Sequence, residues 1–167
     1  PSGGLWKTVD GGTSWSSNTD HLPTLGVSAI LIDPTNTDVL YIGTGDRDAG
    51  DARGLGVMKS FDGGLTWDFF KNGMDIKTVS MMIMHPQDPQ LILAATSGGV
   101  FRTFDGGNNW SNVNSYGFFK DIVFKPNHPE TIYATANGNF FISVDTGSSW
   151  NQITAGLPNA ARGVIGV

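Results

Sequence analysis

Cysteine is absent from the 167 residues. That removes disulfides, thiolate zinc sites and thiol nucleophiles together, but it does not decide the compartment. Charge is also scarce, at 15% of residues. The 10 Lys and Arg are dispersed and the formal net charge is −5, so no basic stripe exists for nucleic acid or an anionic membrane surface. No apolar run approaches the roughly 18 residues that a bilayer span needs. No signal peptide precedes Pro1-Ser2-Gly3, and Val164-Ile165-Gly166-Val167 reads as the middle of a strand. Both ends therefore read as cuts in a longer chain.

What is present is turn chemistry. Glycine reaches 23 residues without a three-residue period, and apolar residues make up 39%. This composition excludes a disordered tail and suits many short strands with frequent turns.

A motif of Ser or Thr, Asp two later, Gly four later and Trp seven later occurs four times without gaps. The sets are Thr8/Asp10/Gly12/Trp15, Ser60/Asp62/Gly64/Trp67, Thr103/Asp105/Gly107/Trp110 and Ser143/Asp145/Gly147/Trp150. The tryptophans are 52, 43 and 40 residues apart. Between motifs, an apolar run stops at Pro34, Pro86 and Pro126, and a strand residue follows seven later at Tyr41, Leu93 and Tyr133. Each unit thus reads as four strands. Strand A is 27–32, 79–84 or 119–124; strand B is 39–44, 91–96 or 131–136; strand C is 56–60, 99–103 or 139–143; strand D surrounds each Trp. A four-stranded unit of about 40 residues, repeated, is a propeller blade. The expected fold is all-β: a β-propeller segment of about three and a half four-stranded antiparallel blades. Its boundaries are a C–D half blade and linker (1–26), blades at 27–78, 79–118 and 119–161, and the first strand of another blade at 162–167. The apolar A and B strands read as covered on both faces.

The motif's residue types suit a hairpin staple between strands C and D. The Asp carboxylate accepts backbone N–H groups, the Gly supplies positive φ, the hydroxyl bonds across the turn, and the indole folds back on the hairpin. Burying such an indole contributes about 2–3 kcal/mol. The other reading, four surface aspartates that bind a ligand or metal, is weaker, because a reactive residue is rarely needed four times.

These motifs resemble the Asp-box, or bacterial neuraminidase, repeat over the whole chain. The stretch from Asp33 to Gly45, followed by Lys59-Ser60-Phe61-Asp62-Gly63-Gly64-Leu65-Thr66-Trp67, looks most like two groups. One is the xyloglucanase-type glycoside hydrolases and sortilin-like propellers. The other is the large secreted Bacteroidetes propeller proteins, which often end in a type IX sorting domain. The resemblance implies secretion or cell-surface display, and Asp-boxes at the blade periphery away from the central site. True sialidases match poorly. They need an arginine triad and a Tyr/Glu nucleophile pair, whereas the arginines here are Arg47, Arg53, Arg102 and Arg162, and Arg102 shares a repeat slot with Lys7 and Lys59.

Departures from a repeat point to function. The B–C connection is three residues in two units but runs from Gly45 to Gly56 in the first, carrying Asp46, Asp48, Asp51, Arg47 and Arg53. Three readings stay open. The aspartates could bind Ca²⁺, although their spacing fits no standard loop. Asp46 could be one carboxylate of a glycosidase pair, since the resemblance places a catalytic Asp near here; but the Thr-Asp-x-Gly-Gly spacing is missing, and no second carboxylate is identifiable. Or the loop is a self-paired Asp/Arg loop shaping a binding face, the reading that weighs most. His21, His85 and His128 are dispersed at turns and form no metal set. The sequon Asn109-Trp110-Ser111 is embedded in a motif. Phe69, Phe70, Tyr116, Phe118 and Phe119 could stack on sugars, but burial between blades is the commoner fate. The leading expectation is a non-catalytic extracellular binding or scaffold module for a protein or polysaccharide ligand, with no metal or catalytic residue assigned. The alternative is a propeller segment of a xyloglucanase-like hydrolase.

Overall fold

The computed structural model describes residues 3–48 and 50–156. Ala49, and the strand expected at 163–167 with Arg162, lie outside the described residues. The described chain is strand and turn throughout. A two-stranded ribbon, β1 (Trp6–Lys7) with β2 (Ser16–Ser17), precedes three four-stranded sheets. The first sheet is β3 (Val27–Ile32), β4 (Leu40–Thr44), β5 (Val57–Ser60) and β6 (Asp68–Phe69). The second is β7 (Val79–His85), β8 (Asp88–Thr96), β9 (Gly99–Thr103) and β10 (Ser111–Asn114). The third is β11 (Phe119–Lys125), β12 (His128–Ala136), β13 (Asn139–Ser143) and β14 (Asn151–Ile153). Each is an antiparallel meander in chain order. The leading strands β3, β7 and β11 adjoin one another from sheet to sheet, so they form the inner edge of an arc. This is a partial β-propeller.

The meander fixes two ends. A–B and C–D turns lie at one end of every sheet, hereafter the turn end. B–C and D–A connections lie at the other, the loop end.

Period-2 alternation builds the core. In β8, Ile92 and Ala94 face the first sheet, packing with Tyr41, Val57, Val79 and Phe101. Leu91, Leu93 and Ala95 face the third sheet, with Ile122, Ile132 and Phe141. Strand β8 is thus covered on both faces. The A strands are less so: Ile30 is 47% exposed, Ile32 53% and Met81 36%, because they line the inner edge.

Three further differences from the sequence expectation have local causes. Strand D begins after the Trp instead of surrounding it, because the Trp still belongs to the C–D turn. Strands β8 and β12 start three residues early, because tight turns pair His85 with Asp88 and Lys125 with His128 through a register shift. Their Pro89 and Pro129 fall in this early extension, beside the irregularity, where a missing N–H costs least. Third, Trp67 and Trp110 are buried and Trp150 packs on the core, but Trp15 is 57% exposed. Each covered indole sits in the seam with the preceding sheet: Trp67 near Leu5 and Leu22, Trp110 against the first sheet. Trp15 has no sheet in front of it among the described residues.

A cation on strand C also crosses each seam. Lys7 Nζ donates to Gly63 O at 2.7 Å, Lys59 Nζ to Gly106 O at 3.0 Å, and Arg102 Nη1 to Thr146 O at 3.0 Å. Each acceptor follows the motif Asp of the next sheet. Lys59 is 7% exposed, lies 4.7–5.1 Å from the Tyr41, Phe61 and Phe70 ring centroids, and shares its acceptor with the Tyr41 hydroxyl at 3.1 Å. Burial pushes the Lys59 ammonium below its usual range, against the pull of Asp33 and Asp105. Burial likewise raises the Tyr41 phenol to about 12, helped by Asp33. In the third sheet the same slot holds Ile142, which ends the cation series.

Candidate functional site

At the turn end the four motifs make one repeated hydrogen-bond set. The hydroxyls of Thr8, Ser60, Thr103 and Ser143 donate to Asp10, Asp62, Asp105 and Asp145 Oδ1 at 2.7–2.8 Å. The same hydroxyls accept the N–H of Gly12, Gly64, Gly107 and Gly147 at 2.8–3.1 Å. These glycines hold φ between +77° and +93°, a region that a Cβ disfavours.

The sequence reading missed one functional column, the residue before each Trp. Ser14, Thr66, Asn109 and Ser149 each give the carboxylate a backbone N–H to Oδ1 at 2.9 Å and a side-chain donor to Oδ2 at 2.6–2.8 Å. The signal was available, because all four are polar with a donor. These bonds hold Asp10, Asp62 and Asp145 at about 2, with the side-chain bonds from Ser14, Thr66 and Ser149 the largest cause; Asn109 does the same for Asp105, which is also lowered. Each carboxylate is saturated by its own turn. Asn109 is committed to Asp105 and accepts from Asn72 Nδ2 at 2.6 Å, so a glycan on this sequon would have to break the staple.

Also at this end, the A strands leave an apolar hollow of about 410 Å³ between Pro34, Pro86, Met84, His85 and Phe124.

The long loop lies at the opposite end, so the structure does not bring it together with the motif aspartates. Asp46 is 4% exposed and faces inward. Its Oδ1 accepts Asp48 N–H at 2.8 Å and its Oδ2 accepts Asp51 N–H at 3.3 Å, while its own N–H reaches Ala52 O at 3.1 Å. Asp46 therefore closes the loop as an Asx-type staple. Arg47 pairs with Asp48 at 3.3 Å in solvent, and the exposed Arg53 lends its carbonyl to the Thr24 hydroxyl at 3.0 Å. Lys120 of β11 donates to Arg47 O, so the loop of the first sheet reaches the third. Among the described residues, no three His, Cys, Asp or Glu groups come together as a metal site, and no helix is long and apolar enough to cross a membrane.

The five aromatics separate by position. Phe119 is fully buried, Phe70 and Phe118 are half-buried, and Phe69 and Tyr116 are 45% and 47% exposed.

The fold defines the class: a segment of a β-propeller. No family model matches the chain. A curated xyloglucanase from Paenibacillus sp. is 28% identical over 129 residues, 68% of this chain and 13% of that protein. Among solved structures, an ancestral GH74 enzyme superposes with a TM-score of 0.75 at 22% identity, over 93% of this chain and 22% of its own. An extracellular domain from B. thetaiotaomicron gives 0.69 at 14% identity, over 91% of this chain and 20% of its own. The chain thus spans about a fifth or less of each of these three proteins, and these likenesses extend the fold assignment to propellers of larger proteins.

Proposed function

We propose that the chain is part of a secreted or cell-surface propeller that binds a polysaccharide, and that it supplies binding surface, not catalysis. The single observation that carries the non-catalytic reading is Asp46. Both of its carboxylate oxygens accept backbone N–H groups of its own loop, and the side chain is buried. A glycosidase acid or base needs an oxygen facing the glycosidic bond and a partner carboxylate at a set separation. The polysaccharide comes from the likeness to the Paenibacillus xyloglucanase, and a polymer of that size is met outside the cell. The extracellular neighbour from B. thetaiotaomicron supports the same location. We assign the four turns to the Asp-box type on their repeated hydrogen bonds, and place the parent protein with sortilin-like propellers and secreted propellers that carry type IX sorting domains. The full-length sequence tests that placement.

The second reading is a propeller segment of a xyloglucanase-like hydrolase, favoured by the same relative. Reducing-end release from xyloglucan by the full-length protein separates the two. Under the first reading, any hydrolysis is unchanged in Asp46→Ala. A hundredfold loss with an unchanged melting temperature would reject it. Calcium at Asp46, Asp48 and Asp51 would appear as a melting temperature that falls with EGTA.

A further inference from the structure

This inference rests on the polysaccharide-binding reading and locates one contact point for it. At the loop end, between the second and third sheets, Tyr116 stands 47% exposed in the D–A connection. Two contacts hold its side chain and a third holds its backbone. The Phe141 ring lies beneath it, with centroids 4.9 Å apart and planes tilted by 58°. Asn139 Nδ2 donates to its phenol oxygen at 2.9 Å. Its backbone N–H is capped by Asn114 Oδ1 at 3.0 Å. The amide chain continues outward, with Gln152 Nε2 donating to Asn139 Oδ1 at 2.7 Å. Asn137 is exposed beside it, with its carbonyl also accepting from Asn139 at 3.2 Å.

A large ring left in solvent gains little for the fold, and holding it rigid adds an entropic cost. A flat face held in place and bordered by amides has the chemistry of a sugar platform. The axial C–H groups of a pyranose pack on the ring, and amide and phenol groups meet the equatorial hydroxyls. Because the phenol oxygen accepts from Asn139, its own O–H is left to donate to an acceptor on the ligand. Two other candidate aromatics, the exposed Phe69 and the half-buried Phe118, are already engaged by cations. Lys71 Nζ sits 4.7 Å over the Phe69 ring, and Lys120 Nζ sits 3.8 Å over Phe118. Tyr116 also lies at the end where the long loop of the first sheet reaches Lys120, four residues further along the chain.

We propose that Tyr116, with Asn137, Asn139 and Gln152, forms a subsite for one residue of a neutral β-linked polysaccharide. Neutral amides and a net charge of −5 fit an uncharged chain better than a uronate.

The test is titration of the full-length protein with xyloglucan, read by calorimetry or retardation in affinity gels, with polygalacturonate as the charged comparison. Tyr116→Ala should weaken xyloglucan binding about tenfold, Tyr116→Phe less than threefold, and Phe69→Ala not at all. Should the alanine variant unfold, Tyr116→Leu keeps the contact with Phe141 without a flat face and carries the same tenfold expectation. Wild-type binding that survives both Ala and Leu would overturn the subsite alone. A wild-type protein that binds no xyloglucan would overturn the polysaccharide reading with it, and tighter binding of polygalacturonate would overturn the neutral-chain assignment.

Discussion

At the turn end, Thr8, Ser60, Thr103 and Ser143 reach their aspartates within a 0.1 Å range, from 2.7 to 2.8 Å. At the loop end, one of the three B–C connections departs from the other two in both length and partners. One runs from Gly45 to Gly56 and reaches the third sheet, while the others close at Ser97-Gly98 and Asn137-Gly138. The turn end must seat each sheet against the next in the same way, so deviation there costs stability. The B–C connections repeat no such hydrogen-bond set and are free to differentiate. The loop end is therefore the end on which a ligand can be read.

The largest expected effect tests whether the turn-end tryptophans act by closing seams. Trp110 is 4% exposed, and its indole donates to Phe70 O at 2.9 Å across the seam. Trp110→Ala should cost about 3–5 kcal/mol. Trp15, with the same hydrogen-bonded turn but no sheet in front of it among the described residues, should lose about 0.5 kcal/mol or less on the same substitution. Urea unfolding of the 167-residue chain measures both. Equal losses would mean that the indoles stabilise their own hairpins and not the seams.

The cation series sharpens the same comparison. Lys59→Met removes a buried charge-assisted bond and a ring contact but leaves Tyr41 on Gly106 O, so a loss of about 1–2 kcal/mol is expected. Lys7→Met, at an exposed lysine with the equivalent bond, should leave the melting temperature within the scatter of repeat measurements. A large effect at Lys7 would show that the carbonyl contact works without burial.

How far the sequence carried depends on how local the cause is. Strands β9 and β13 begin and end where the motif spacing places them, because the Ser or Thr that ends each strand is bonded to the Asp two residues on. Strands β8 and β12 were misjudged by three residues, because their early start depends on a two-residue turn and a register shift that no motif marks. Lys7, Lys59 and Arg102 were legible as a column but not as a device, since their acceptors lie 44 to 56 residues away in the next sheet. Asp46 was legible as unusual, but which way its carboxylate faces depends on loop geometry and not on composition. Tyr116 could not be told from Phe119 in sequence, yet one is exposed and the other buried, because they fall on either side of a strand's start.

Acid should act on the turn end first. Asp10, Asp62 and Asp145 titrate at about 2 in the folded chain, and Asp105 is lowered with them. The usual unfolded value is near 3.9. A depressed folded value means that the unfolded chain binds more protons in the window between, so this stabilisation is complete above about pH 5 and is lost as pH falls toward about 2. Melting temperatures measured from pH 5 to 2 should fall through that window, and Asp62→Asn should make the fall shallower. A profile that is flat below pH 4 would count against the saturated carboxylates.

The smallest expected effect is a gain, at the one turn where the repeat departs from its own rule. The residue after the motif Asp holds φ of +70°, +70° and +65° at Gly11, Gly63 and Gly106, but Thr146 occupies the fourth place at +57°. A β-branched residue in the left-handed region costs about 1–2 kcal/mol. Glycine there would relieve that strain and add about 0.5–1 kcal/mol of unfolded-state entropy to overcome. The Arg102 guanidinium bonds the carbonyl of residue 146 and not its side chain, so the seam contact survives the change. Thr146→Gly should therefore raise the unfolding free energy by a fraction of a kcal/mol, seen as a higher urea midpoint with an unchanged slope. A drop instead would mean that the half-buried threonine side chain packs against its surroundings for more than its backbone strain costs.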